Sequence, residues 1–234
     1  VKTTDGKNHC VVDGNAYRVY KFVKNTKSIE FSKSLEDLYC AGKSFGHFQM
    51  LLDDYPADTL FFFFFDFHNT PKRVEALKEA IKNDIAGRAS SVQKEIDFAL
   101  ECAEFASVVV DELKKGTLPL RVTHNDTKIN NILFDDKTSE AICVIDFDTV
   151  MPGSSLYDFG DALRMGASTG AEDEVNLDLV NFDSKAFESF AKGYLSEMKD
   201  KLSKKEIELL PFSAKLLTYE CGIRFLTDYL NGDT

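Results

Sequence analysis

The strongest constraint in this sequence is a short strand-turn-strand unit set between long helical stretches. Leu120-Arg121-Val122 leads into a polar loop, and an apolar run from Asn131 to Phe134 follows. Asp135-Asp136-Lys137 supplies the turn, and Ala141 to Ile145 the returning strand. Strands this short do not stand alone in water and need a helical layer to cover them. An antiparallel pair also brings its outer ends to the same edge. The polar loop entering at Asn131 and the Asp146-Phe147-Asp148 exit must therefore lie side by side.

The flanks read as helix. Ser34 can cap a helix with Asp37 three residues on, and Leu35, Leu38, Phe45, Phe48 and Leu52 keep helical spacing up to Pro56. Thr70-Pro71 opens a second helix whose buried face is Val74, Leu77 and Ile81. A long third helix is expected from Ser91 to Lys115, closed by Gly116. Later, Ser184 caps one helix, and Ser203 with Glu206 forms a capping box for the next. Pro211 should kink or restart that helix before residues 212–230.

Near the start, Cys10-Val11-Val12 and Ala16 to Val23 flank Asp13-Gly14, a tight-turn dipeptide. A lone hairpin cannot bury itself, so the chain reads as beginning inside a sheet whose earlier strands lie outside it. The expected class is thus α+β: a mostly helical lobe with a small β-hairpin ahead of it. There is no internal repeat, and Phe61 to Phe65 is the single low-complexity run.

Composition narrows the partners. Among 234 residues, 28 basic side chains face 39 acidic ones, a formal net charge of -11. Nucleic acid and anionic membrane surfaces are therefore excluded as bulk partners. The five-Phe run is far too short to span a bilayer. Cys10, Cys40, Cys102, Cys143 and Cys221 are odd in number and widely scattered, which reads as reduced thiols in the cytoplasm.

Chemistry concentrates around the strand-turn-strand. His124-Asn125-Asp126-Thr127-Lys128-Ile129-Asn130-Asn131 reads H-x-D-x-K-x-x-N, and Val144-Ile145-Asp146 puts a carboxylate at a strand exit. Phosphoryl transfer from a nucleotide needs one carboxylate to orient the acceptor hydroxyl and take its proton. It also needs two oxygen ligands to hold Mg²⁺ against the phosphates. Asp126, Asn131 and Asp146 supply that set, and Lys128 can neutralise charge on the transferring group. His124 is expected to be structural, its ring bonded to backbone near the Asp146 turn. Asp158 and Asp161 are expected to anchor loop N–H groups rather than to catalyse.

These residues resemble the aminoglycoside phosphotransferase and choline kinase superfamily, with its protein-kinase-like fold. The longer string from His124 to Leu133, the V-I-D-F-D-T-V-M-P-G run and Tyr157 to Arg164 look like those of the N-acetylhexosamine 1-kinases. Phe67 to Pro71 and Glu220 to Leu230 are similar to that family too. The resemblance implies Asp126 as catalytic base and Asn131 and Asp146 as Mg²⁺ ligands, with ATP as co-substrate. It implies that Asp148, Thr149 and Arg224 touch a sugar, and that Phe22 and Val23 end a hinge whose backbone meets adenine. For Asp148 a second metal-ligand role or an N-cap stays open, and for Arg224 a solvated helix position.

By the same resemblance, residues 1–25 would be a remnant of the nucleotide-gripping lobe and hinge, and 26–234 the catalytic lobe. The sequence departs from a complete kinase of this type in having no G-x-G-x-x-G and only Lys2 and Lys7 before the hairpin. Two other classes compete. A metallophosphoesterase would use His124, Asp126, Asn131 and Asp146 around two metals, although such sites call for several imidazoles and only His9, His47, His68 and His124 exist. A non-catalytic kinase-like module would bind without turnover.

Overall fold

Ser34 opens helix α1 (Leu35–Leu51) by accepting a hydrogen bond from Asp37 N. In the computed structural model, which describes residues 1–31, 34–172 and 174–233, this helix is the scaffold of the main core. Its buried stripe of Leu38, Ala41 and Phe45 faces α6 (Ser184–Met198), where Phe190, Tyr194 and Met198 are buried. The two helices pack backbone against backbone. A Cβ on Gly46 would sit 2.8 Å from the Tyr194 carbonyl oxygen, and Cβ atoms on Gly42 and Gly193 would collide with Phe190 O and Tyr39 O. Only glycine permits that approach.

Helix α2 (Thr70–Asn83) starts as expected, with Asn69 Oδ1 accepting from Lys72 N and Pro71 in the first turn. Val74 and Leu77 are buried, and Ile81 is half-buried. The expected helix over 91–115 is instead broken into α3 (Gln93–Glu101), a 3-10 turn at Cys102–Phe105 and α4 (Val108–Lys114). The reason lies in what the segment must cover. Ile96, Ala99 and Ala106 belong to one apolar cluster and Val109 to another, and a single straight stripe cannot face both. Gly116, at φ 73°, turns the chain out of α4.

Among the described residues, three small sheets complete the fold. Strands β1 (Cys10–Val12) and β2 (Asn15–Tyr17) form the expected hairpin, with both Asp13 and Gly14 at positive φ. The second strand ends at Tyr17 rather than Val23, and the hairpin is exposed on both faces. Strand β3 (Thr26–Lys27) pairs with β5 (Ile132–Asp135), which pairs with β6 (Ala141–Val144). Strand β4 (Arg121–Thr123) pairs with β7 (Met151–Gly153).

Helix α5 (Ser155–Gly166) lies under these strands, buried along its first nine residues, and α7 (Lys204–Leu230) runs past it. At 27 residues, α7 is about 40 Å long and joins the main core to a second cluster with α2 and α3. Two expectations need correction here. Asp183, not Ser184, caps α6, its Oδ1 accepting from Lys185 N and Ala186 N. Pro211 does not interrupt α7; it lies on an exposed face, where the carbonyl left without a donor can be hydrated. The Ser203–Glu206 capping box forms as read. The Phe61 to Phe65 run is irregular, with Phe61, Phe63 and Phe65 most exposed. Among the described residues no helix is long and apolar enough to cross a membrane.

Candidate active site

The loop that follows β4 is held from below by α5. Asp158 accepts hydrogen bonds from His124 N at 2.9 Å and Asn125 N at 2.8 Å. Asp161, one turn along, accepts from Thr127 N at 3.0 Å, and the Thr127 hydroxyl donates to Asp158 O at 2.7 Å. Both aspartates are therefore the anchors the sequence suggested. Burial pushes the Asp158 carboxyl above the ordinary range, while nearby His124 and the bound N–H groups oppose that shift.

His124 is structural as well. Its Nε2 lies 2.9 Å from Ile145 O, and Phe45, Phe48 and Phe147 set their rings edge-on to it at 5.6–6.0 Å. That contact ties the loop to the end of β6, and Ile145 N donates to Asn131 O at 2.9 Å as a second tie. The two polar ends of the strand-turn-strand thus meet, as antiparallel pairing required.

Asn125 has a left-handed backbone, φ 64°, immediately before Asp126. Asn131, carried on the 3-10 turn Ile129–Asn131, sends its Nδ2 to Asp126 O at 2.8 Å and to Asp126 Oδ2 at 3.0 Å. Lys128 Nζ is 3.4 Å from Asp126 Oδ1. The Asp126 side chain stays 31% exposed, enough for a ligand to reach its carboxylate. Asp126, Lys128 and Asn131 therefore form one cluster.

Asp146 also has a left-handed backbone, φ 63°, and is exposed at the start of the 3-10 turn Phe147–Thr149. Neither its carboxylate nor Asn131 Oδ1 is hydrogen-bonded to any described residue. Amide and carboxylate oxygens without competing sulfur or imidazole suit a small hard cation such as Mg²⁺. That ion takes one or two protein oxygens and completes its shell with water and phosphate. Among the described residues no group of three or more His, Cys, Asp and Glu could hold a metal by itself.

The remaining expected residues are more dispersed. Asp148 is ion-paired to Arg18 from the N-terminal segment. The Thr149 hydroxyl donates to His124 O at 2.7 Å, so its proton points back into the loop. Arg224 is exposed on α7, 5.2 Å above the Phe225 ring and 3.8 Å from Cys221 Sγ. Cys221 in turn meets Glu172, Glu172 meets Arg164, and Arg164 meets Asp161. That chain of contacts joins Arg224 to the Asp126 loop, and Glu172 within it also feels the charges of Arg224 and Lys128. Phe22 is largely exposed and Val23 half-buried in an irregular stretch, whose Val23 carbonyl accepts from Thr26 Oγ1.

Three features escaped the sequence reading. Strand β3 and Ser28, whose hydroxyl donates to Asn130 O at 2.8 Å, stitch the segment after Val23 to the β5–β6 strand pair and the loop before it. Arg164 braces Asp161. Gln49 reaches Asp158, and its signal was present: a polar residue four positions after Phe45 on the buried stripe of α1.

The fold recurs in a solved protein. The structure of the microcompartment-associated aminopropanol kinase matches with a TM-score of 0.52 at 20% identity, covering 100% of this chain and 72% of that one. That likeness establishes the kinase-like α+β architecture in which the Asp126 loop sits. Residues 4–193, from ahead of the first hairpin to within α6, match the APH family profile; the chain belongs to this phosphotransferase enzyme family.

Proposed function

We propose that the protein transfers the γ-phosphate of ATP to a hydroxyl of a small molecule, specifically the anomeric hydroxyl of an N-acetylhexosamine. The observation that carries this reading is the Asp126 carboxylate, gripped by Asn131 and Lys128 yet open to a ligand. Membership in a phosphotransferase family supports transfer to an acceptor other than water. The sugar assignment rests on the sequence resemblance around His124 to Arg164.

In this reading Asp126 hydrogen-bonds the acceptor hydroxyl and takes its proton as the new oxygen–phosphorus bond forms. The bond between the γ-phosphorus and the bridging oxygen breaks, and ADP leaves with that electron pair. Asn131 keeps the carboxylate turned toward the acceptor, and Lys128 offsets negative charge on the phosphoryl oxygens. Asn131 Oδ1 and Asp146 would hold Mg²⁺, which when bound neutralises charge on the phosphates. Asp148, Thr149 and Arg224 would contact the sugar. Phe22 and Val23 would present backbone to adenine, with 1–25 as hinge and remnant lobe and 26–234 as catalytic lobe. The reaction is assigned to the cytoplasm.

Mixing the protein with Mg-ATP and N-acetylglucosamine or N-acetylgalactosamine should give the sugar 1-phosphate. Turnover of another alcohol, with none of any hexosamine, would remove the sugar assignment and keep the kinase. The phosphoesterase alternative loses support because, among the described residues, no group of three or more His, Cys, Asp and Glu is placed to hold a metal.

A further inference from the structure

Asp158 is a buried carboxylate with three hydrogen-bond donors. Two are the catalytic-loop amides of His124 and Asn125; the third is Gln49 Nε2 from α1, at 2.6 Å. The other end of that amide, Gln49 Oε1, accepts from the Tyr194 hydroxyl of α6 at 2.5 Å. Every member of the chain is sealed from water: Tyr194 is 0%, Asp158 1% and Gln49 3% exposed.

The geometry points to Gln49 and Tyr194 as positioning residues for the Asp126 loop, acting through Asp158. Three physical steps support it. First, an amide side chain can flip, and a flipped Gln49 would present its oxygen to the Asp158 carboxylate. The Tyr194 hydroxyl opposes that, because its buried proton loses the amide oxygen in the flipped form, just as the carboxylate loses its donor. Second, with Nε2 so fixed, Asp158 Oδ2 is shared by Gln49 and His124 N, which leaves Oδ1 to Asn125 N. The carboxylate plane is thereby set.

Third, Asn125 is the residue that needs holding. Its left-handed backbone, φ 64°, is one that asparagine tolerates better than most side-chain-bearing residues, and here it is held by the Asn125 side chain's bonds to Thr123 O and Thr149 O together with its amide's bond to Asp158. That bend immediately precedes Asp126 and aims its carboxylate. The glycines at 42, 46 and 193 make the arrangement possible, since they let α1 and α6 approach closely where Tyr194 meets Gln49.

This inference rests on the kinase reading only for its consequence for turnover; the loop geometry can be read without it. The test uses Tyr194→Phe, which keeps the ring, Gln49→Leu and the double variant. Backbone amide exchange at His124 and Asn125 should speed up by about tenfold or more in either single variant, while amides across α1 and α6 keep their protection. With an acceptor that is turned over, kcat should fall about tenfold and both KM values should stay within about twofold. Adding Tyr194→Phe to Gln49→Leu should cost nothing further, since the hydroxyl acts through the amide.

Unchanged exchange at His124 and Asn125 in both single variants would overturn the proposal. So would equal loss of protection throughout α1 and α6, which marks a purely structural role. If the parent protein turns over no acceptor, the kinase reading fails, and the exchange measurement still decides the positioning role.

Discussion

Asn131 grips Asp126 twice, donating from one Nδ2 to the backbone oxygen at 2.8 Å and to Oδ2 at 3.0 Å. A single amide thus fixes both where the aspartate stands and which way its carboxylate turns. Its own Oδ1 is left for a cation. In the proposed reaction one side chain would couple the proton acceptor to the bound cation.

That coupling makes the first prediction. Asp126→Asn removes the proposed proton acceptor while keeping the shape, and kcat should fall by about 10²- to 10⁴-fold. Asn131→Ala should lower kcat too and, unlike Asp126→Asn, should raise the Mg²⁺ concentration needed for half-maximal rate. Rate against Mg²⁺ for both variants separates the two roles. An unchanged Mg²⁺ requirement in Asn131→Ala would remove Asn131 from the ligand set.

The second concerns the α1–α6 contact. A methyl group on Gly46 would press on Tyr194 O, and neither helix backbone can yield without moving the core behind it. Gly46→Ala should therefore destabilise the fold by about 1–3 kcal/mol, against helix propensity, which alone favours alanine. Urea unfolding midpoints report it; a gain in stability would mean that the helices slide freely.

The third is acid lability. Burial alone would push Glu206 up, yet hydrogen bonds from Arg121, Ser203 N and Ser155 hold it below its ordinary value. For Glu220 burial again opposes, and His68, Thr70 and Arg73 hold the carboxyl low. A carboxyl depressed in the folded state contributes stability above its unfolded pKa and loses it as pH falls through the folded one. Stability should thus decline as pH drops from about 5 toward 3. Glu206→Gln, which removes one of the two carboxylates paired with Arg121 and leaves it Asp53, should cost about 1–3 kcal/mol at pH 7 and flatten that decline. Urea midpoints across the pH range test both statements.

How much of this was legible depends on the distance in sequence over which each feature is built. Asp126, Lys128 and Asn131 lie within six residues, so their spacing alone places them together. The roles of Asp158 and His124 followed from loop logic. Strands β3 and β7 carry two and three residues, too few for any period to register. The break in 91–115 could not be read either, because apolar spacing says which residues are buried and not in which of two cores. Pro211 misled for a related reason: its effect depends on whether the freed carbonyl meets water, a property of the folded surface. Gln49 was visible as a polar intruder on an apolar stripe, but its partner Asp158 is 109 positions away.

The last prediction separates two roles for Arg224. The side chain is exposed, sits over Phe225 and contacts Cys221, so its removal should leave stability within about 0.5 kcal/mol. If the guanidinium binds the acceptor, Arg224→Ala removes a charged hydrogen bond. The acceptor KM should then rise by about 10- to 100-fold with the KM for ATP unchanged. If Arg224 acts instead through Cys221, Glu172 and Arg164 on the loop, kcat should fall with little change in KM, and Arg164→Met should reproduce that pattern. Steady-state kinetics on the two variants decide between them, because only direct contact can move the acceptor KM in Arg224→Ala alone.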